Sequence, residues 1–331
     1  MLNGQGAVQL FFILSGFVLA ASLARGTGPL NLVQFYVKRW FRIQPPFVFG
    51  LFCAWFASGF YPEASSGMSQ LFRRFASIHL APLDLLPFAL FPGDAALQFP
   101  VGWTLGVEML FSMLLPALVL VARVHWVVLL VSSGVVLACS SFQSPFGYAI
   151  DFAVGVVIFR ERGALARAYD RLPVIARWLG LAVAAALFTL PVYAGSEVVT
   201  EDVVVSGFRA WEIAVMAIGG AALVVAAVQR NAFSQLLASR PCAWLGKLSY
   251  SLYLLHFTVL LAAVHFATAP VGYLLGLGLL TTVLAITIPL AALSHRIVEV
   301  PAIRAGNALC RWLTGELSSA RRGSEPNSEA A

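Results

Sequence analysis

Charge is scarce in this chain: of 331 residues 11% are Asp, Glu, Lys or Arg, against 60% hydrophobic, and the mean hydropathy is +0.86. So little polar surface cannot coat a soluble globule of this size. Cysteine is sparse too. Cys53, Cys139, Cys242 and Cys310 stand apart, without metal-type spacing or a disulfide framework, and read as packing residues. There is no repeat of fixed period, no phosphate-binding P-loop, no GxGxxG, no HExxH and no nucleophile-elbow serine. No metal or bound cofactor is therefore signalled. The net charge of +6 is accounted for by arginines flanking membrane segments and calls for no nucleic-acid partner.

What the chain does have is long apolar runs. A membrane span needs roughly 20 mostly apolar residues and must satisfy its own backbone, so each run is read as a helix. Runs lie near 8–25, 45–61, 103–122, 126–141, 146–160, 178–194, 209–228, 248–266 and 271–293. The expected fold class is all-α, a polytopic transmembrane helix bundle with those nine spans. The segments 126–141 and 146–160 are short and suit a hairpin. Residues 71–92, amphipathic and broken by Pro82, Pro87 and Pro92, read as interfacial or re-entrant and are not counted. Residues 1–305 then form one transmembrane domain and 306–331 a cytoplasmic tail. From about residue 315 that tail is Ser-, Glu- and Arg-rich without periodicity, and disorder is expected there.

Basic residues set the orientation, because Lys and Arg are retained on the cytoplasmic side. If the loops after the first, third, fifth and seventh spans and the C-terminal tail face the cytoplasm, that side holds all but Arg73, Arg74 and Arg209 of the 21 Lys and Arg. The C-terminus is then cytoplasmic, the acidic loop with Glu197, Glu201 and Asp202 lies outside, and so does the start of the chain. A span follows that start almost at once. Met1–Gln5 lacks the basic lead of a signal peptide and no clean cleavage site precedes Arg25, so a chain that starts one helix late is expected.

Ionisable groups inside spans are costly, ~2.5–3.5 kcal/mol at mid-bilayer on insertion scales, and so point to sites. Glu108, Asp151, Glu212, His256 and His265 lie deep enough to count. Thr104, Glu108 and Phe111 share one helical face, where the carboxylate fits either a polar anchor or proton acceptor on the acceptor side, or one half of a helix–helix ion pair. Asp151 reads as an interfacial or pairing residue, and Glu212 as a partner of Arg209. Ser249, Tyr253 and His256 stack along one face at offsets of four and seven, a polar seam that lines either a neighbouring helix or a cavity. His295, Arg296 and Glu299, followed by Pro301, stand where the last span ends, and an i,i+4 lock is the simpler reading. Lys38, Arg39 and Arg42 occupy one helical turn, so that two guanidinium forks can converge on a phosphate or diphosphate. Binding of phospholipid headgroups is the competing reading for such a juxtamembrane cluster.

Several strings carry a family resemblance. Val8–Phe17 (VQLFFILSGF) followed by Phe35–Pro45 (FYVKRWFRIQP) resembles the "FFxLSGF … FxxxRxxRIxP" opening of the acyltransferase 3 family. Trp103–Glu108 (WTLGVE) is similar to its "WSLxxE", Leu245–His256 (LGKLSYSLYLLH) to its "LGxxSYSLYLxH", and Glu299-Val300-Pro301 to its closing "ExP". The motifs recur in the family's order over residues 4–305.

The resemblance implies an integral membrane O-acyltransferase of about ten helices, set in a bacterial inner membrane and multi-pass. It would move an acyl group, often acetyl, from acyl-CoA to a hydroxyl of an envelope glycan, lipid-linked sugar or similar acceptor. Arg39, Arg42 and Lys38 would hold the donor's phosphates. Trp103, Ser249, Tyr253 and Glu299 would line the acceptor path or serve as structural polar groups, with Glu108 and His256 as supporting catalytic candidates. The family's catalytic histidine lies on a helix ahead of the "FFxLSGF" segment, and no histidine precedes His79 here. A general base contributes ~10²- to 10⁴-fold, so without one the chain as written would be a feeble enzyme. Two rival classes are a non-catalytic membrane protein that binds acyl-CoA or lipid, and a transporter, for which paired repeat halves are expected and not evident. Acceptor and acyl length are chosen by cavity shape, which no motif encodes.

Overall fold

The computed structural model describes residues 4–26, 28–60, 85–90, 99, 101–140, 144–194, 199–200, 203–204, 210–265 and 273–323. Its helices are α1 (Gly4–Leu23), α2 (Pro29–Ser58), α3 (Leu85–Leu90), α4 (Gly102–Cys139), α5 (Ala149–Asp170), α6 (Val174–Ala194), α7 (Ala210–Val228), α8 (Ala232–Leu237), α9 (Arg240–His265), α10 (Tyr273–Ser294) and α11 (Val300–Gly323). A 3-10 turn at Pro145–Tyr148 leads into α5, and a π turn at His295–Glu299 joins α10 to α11. The one antiparallel ladder described, Val199–Thr200 with Val203–Val204, leaves the class all-α.

Five helical stretches have both the length and the hydropathy to cross a membrane: Gly4–Leu23, Gly102–Cys139, Ala210–Val228, Arg240–Val264 and Gly278–Gly315. The other expected spans lie in helices of mixed character. The run 103–122 and the described helical part of 126–141, which ends at Cys139, are two arms of α4, bent at His125 (φ −155°, ψ 104°). The run 45–61 shares α2 with the basic turn up to Ser58, 146–160 enters α5, which also carries Arg160, Arg162 and Arg167, at Ala149, and 178–194 lies in α6, whose apolar stretch Val174–Thr189 is shorter. Val18, Phe52, Met113, Val131, Ile218 and Leu293 are exposed on helix exteriors, as side chains are when their solvent is hydrocarbon. Of the segment 71–92, only α3 at Leu85–Leu90 is described. The final helix continues to Gly323, through the start of the stretch whose composition suggests disorder; Ala302, Gly306 and Cys310 give its first half a buried stripe at four-residue spacing.

The described residues fall into two compact units, and the chain passes from one to the other between Arg25 and Gly26, between Val101 and Gly102, and inside α9 between Lys247 and Leu248, among other points. The first takes in α1 and α4 to α8. Its core stacks Phe111 on Phe152 (ring centroids 4.6 Å apart) and Phe152 on Phe12 (5.1 Å), with Tyr148 edge-on to Phe12. Helices α1 and α5 meet through glycine: a Cβ on Gly16 would collide with the carbonyl of Phe152, and one on Gly155 with that of Ile13. The 3-10 turn ahead of α5 lies against the end of α4, with Gly147 beside the side chain of Leu137.

The second unit takes in α2, α3, most of α9, α10, the π turn and α11. Helix α2 starts after Gly28 (φ 87°), where Pro29 costs no backbone hydrogen bond. Pro45 and Pro46 inside it leave the carbonyls of Phe41 and Arg42 without i→i−4 donors. Phe47 packs on Phe99 (5.8 Å) and Gly50 on Leu254 and Phe99. Gly306 of α11 lies against Phe41, and the Cys310 thiol reaches the carbonyl of Gln34 at 3.8 Å, so α11 runs antiparallel along the first half of α2.

Candidate functional site

In the second unit the basic turn sits on α2 just before the double proline. Arg39 is half-buried, whereas Lys38 and Arg42 are exposed. One residue further on, the Tyr250 hydroxyl of α9 donates to the carbonyl of Ile43 at 2.7 Å. That bond ties α9 to the stretch of α2 where the prolines thin out the helical hydrogen bonds. It fixes the backbone directly beside Arg42.

The next residue of α9 opens a buried polar network. Ser251, fully buried, donates through Oγ to Glu299 Oε2 at 2.9 Å, and His295 Nδ1 lies 3.0 Å from the same oxygen. Glu299 is 3% exposed. A carboxylate that far inside requires donors, and these two supply them. The expected i,i+4 pairing of His295 with Glu299 is present. The turn carrying both is wider than an α turn, with the Val300 N–H bonding back five residues to the carbonyl of His295. Pro301 gives a local reason: it cannot donate to the carbonyl of Ile297 and its ring crowds that group in a regular α helix. An extra residue in the preceding turn relieves the crowding and re-aims the side chains that follow.

The Ser249, Tyr253 and His256 seam lies on the more open side of α9. Tyr253 and His256 are half-buried with ring centroids 5.5 Å apart, His256 Nδ1 is 2.6 Å from the carbonyl of Tyr253, and Ser249 is exposed. The serine that reaches Glu299 is Ser251, on the opposite stripe with Leu248, Leu254, Leu255 and Thr258. Its signal in the sequence is a hydroxyl standing among apolar residues at helical spacing, off the polar stripe of Ser249, Tyr253 and His256.

In the first unit, Thr104, Glu108 and Phe111 share a buried face as their spacing predicts, with Glu108 3% exposed. Trp103 is half-buried and packs on Tyr148 (5.6 Å), whose hydroxyl accepts from Gln5 Nε2 at 2.8 Å. Asp151 is 0% exposed, and neither of its oxygens meets a hydrogen-bond partner among the described residues. The interfacial or paired setting expected for it is therefore not found there. Gln5, Gln9 and Phe12 follow one face of α1, whose Gln5 and Phe12 meet Tyr148 of the 3-10 turn ahead of α5. Glu212 is 2% exposed, while its expected partner Arg209 lies outside the described residues, as do Arg73, Arg74 and His79. Four carboxyl groups, of Glu108, Asp151, Glu212 and Glu299, are buried, and no Lys, Arg or His is buried among the described residues. No group of three or more His, Cys, Asp or Glu is placed there to hold a metal ion.

Apolar helices of spanning length, lipid-type exteriors and carboxyl groups kept inside define a multi-pass helical membrane protein. A family profile described as an acyltransferase domain, that of acyltransferase 3, matches residues 2–293. The chain belongs to that family. Comparison with curated proteins and with solved structures gave no match.

Proposed function

We propose that this membrane acyltransferase is an O-acyltransferase, using acyl-CoA as donor and a hydroxyl of an envelope glycan, lipid-linked sugar or similar molecule as acceptor. Family membership over residues 2–293 carries the reading. The basic turn supports it: Lys38 and Arg42 are exposed and Arg39 half-buried on one helical turn, and α9 pins the adjacent backbone through Tyr250. Guanidinium groups so placed make charge-assisted, bidentate bonds to the phosphates of a CoA nucleotide. Acetyl is the acyl group proposed. The protein would lie in a bacterial inner membrane, with donor turn and C-terminus on the cytoplasmic side, where CoA esters are made. Reaction requires no cofactor beyond the donor: the acceptor oxygen attacks the thioester carbonyl, a base takes its proton and CoA thiol departs.

The test is donor binding by protein reconstituted in nanodiscs of a zwitterionic lipid. Arg39→Ala and Arg42→Ala are expected each to weaken acetyl-CoA binding about 10-fold or more, the loss of one charge-assisted contact of ~1.5–3 kcal/mol, with melting unchanged. Equal donor affinity in both variants would remove the assignment. Binding that responds only when phosphatidylglycerol is added to the nanodisc would return the cluster to lipid headgroups.

A further inference from the structure

We propose that the start of the α1–α5 contact is the acceptor subsite, where Gln9 and Asp151 hold hydroxyl groups of a saccharide. The inference rests on the acyl-transfer reading above and deepens it, naming the acceptor as a sugar and the residues that grip it. Along this contact Gln5 bonds to Tyr148, Phe12 stacks on Phe152, the Ile13 carbonyl abuts Gly155 and Phe17 meets Phe159 edge-on. Both segments therefore run the same way, and their backbones touch at Ile13 and Gly155. One helical turn before that point stand Gln9 on α1 and Asp151 on α5, matched in the same register. Both are fully buried, and neither the carboxamide of Gln9 nor the carboxyl of Asp151 meets a hydrogen-bond partner among the described residues. Burying an unpaired polar group is unfavourable, and packing alone gives no reason to keep two of them at one level of one helix contact.

The chemistry of the pair selects its ligand. A carboxylate only accepts, whereas a carboxamide both donates and accepts. A cation would suit Asp151 and leave the amide donors of Gln9 unspent. Sugar hydroxyls serve both, donating to the carboxylate and exchanging bonds with the carboxamide. One turn nearer the helix starts, the setting changes from closed to open. Gln5, Trp103 and Tyr148 are each half-buried, with Trp103 packed on Tyr148 at 5.6 Å and Gln5 bonded to the Tyr148 hydroxyl. The Asp151 carboxyl lies within electrostatic reach of that hydroxyl, which joins this rim to the buried pair. Half-open aromatic rings offer apolar faces to the C–H side of a sugar ring, while the few polar groups below fix its orientation. Entry past the rim exchanges the Gln5–Tyr148 bond for bonds to the ligand. All five residues belong to the first unit. In the orientation proposed above, α1 and α5 both start on the outer side, where an envelope glycan is met.

The competing role for Gln9 and Asp151 is pairing within the protein, and the experiment separates the two. The full chain is reconstituted in nanodiscs, and the probe is an oligosaccharide cut from the cell-envelope polysaccharide of cells lacking the gene. Its binding is read without donor, from the rise in melting temperature it causes, and its acylation from CoA thiol release with acetyl-CoA. Asp151→Asn and Gln9→Met keep size and shape, and without sugar both are expected to melt level with the unaltered protein or above it. Affinity and KM for the oligosaccharide should each worsen about 10-fold or more, the worth of a hydrogen bond to a charged group, with KM for acetyl-CoA unchanged. Gln5→Ala, at the half-buried rim, should weaken sugar binding as well without disturbing the interior. Oligosaccharide affinity and KM equal to those of the unaltered protein in Asp151→Asn and Gln9→Met overturn the proposal while acyl transfer stands. So does a clear fall in the melting of the sugar-free interior variants, which would mean that groups within the protein already pair with Gln9 and Asp151. Failure of the unaltered protein to bind the oligosaccharide overturns it too. Binding that depends on both residues without any ester formation leaves the sugar site standing and overturns the acyl-transfer reading.

Discussion

Replacing Gly155 by alanine puts one methyl group where α1 and α5 touch. The added Cβ would meet the carbonyl oxygen of Ile13, lie 2.7 Å from the backbone nitrogen of Phe17 and 3.0 Å from the carbonyl carbon of Gly16. All three are backbone atoms of a regular helix, so no side chain can swing aside. The helices have to separate. Overpacking of this kind costs ~1–3 kcal/mol, and separation also loosens Phe12 on Phe152 and Phe17 on Phe159, pairs worth ~0.5–1.5 kcal/mol each. The expected loss is therefore roughly 2–6 kcal/mol. Alanine is also the better helix former by about 1 kcal/mol, a gain shared by any helical glycine. Gly134→Ala supplies that baseline, since nothing lies within 4 Å of a Cβ there. Thermal unfolding of both variants in the same detergent reads the difference. Gly155→Ala melting level with Gly134→Ala would refute the close α1–α5 contact and the packing argument built on it.

Two further changes probe the polar interior. Tyr250→Phe removes the hydrogen bond to the carbonyl of Ile43, whose loss should cost ~0.5–1.5 kcal/mol in stability. Acetyl-CoA binding should weaken too, because the backbone beside Arg42 loses its tie; donor affinity unchanged at lowered stability would detach Tyr250 from the donor turn. Asp151→Asn replaces a fully buried carboxyl, whose oxygens have no partner among the described residues, by a neutral group of the same shape. Melting is expected to hold or rise, since burying an unpaired polar or charged group is unfavourable. A clear fall would mean that a cation from outside those residues pairs with Asp151.

The helical class was legible from composition and apolar run length alone, because a backbone in hydrocarbon has few ways to satisfy its hydrogen bonds. Helix faces were legible as well: Thr104, Glu108 and Phe111 turn inward together, and His295 meets Glu299 across one turn, since such neighbours are set by the helical period. Span boundaries were less so. The bend at His125 merges two expected spans into one interrupted helix, and α2 and α5 mix apolar and basic stretches that a sliding window divides.

Sequence by itself determined the membrane setting, the family strings and the basic turn, all of which depend on residues close together along the chain. Only tertiary structure decided that Ser251 rather than Ser249 reaches Glu299, 48 residues away, that Tyr250 bonds to Ile43 across 207 residues, and that Asp151 is enclosed without a partner among the described residues. Those contacts depend on how each helix is rotated about its axis. That rotation follows from steric fit between distant segments, such as Gly16 and Gly155 at the α1–α5 contact, which no local pattern encodes.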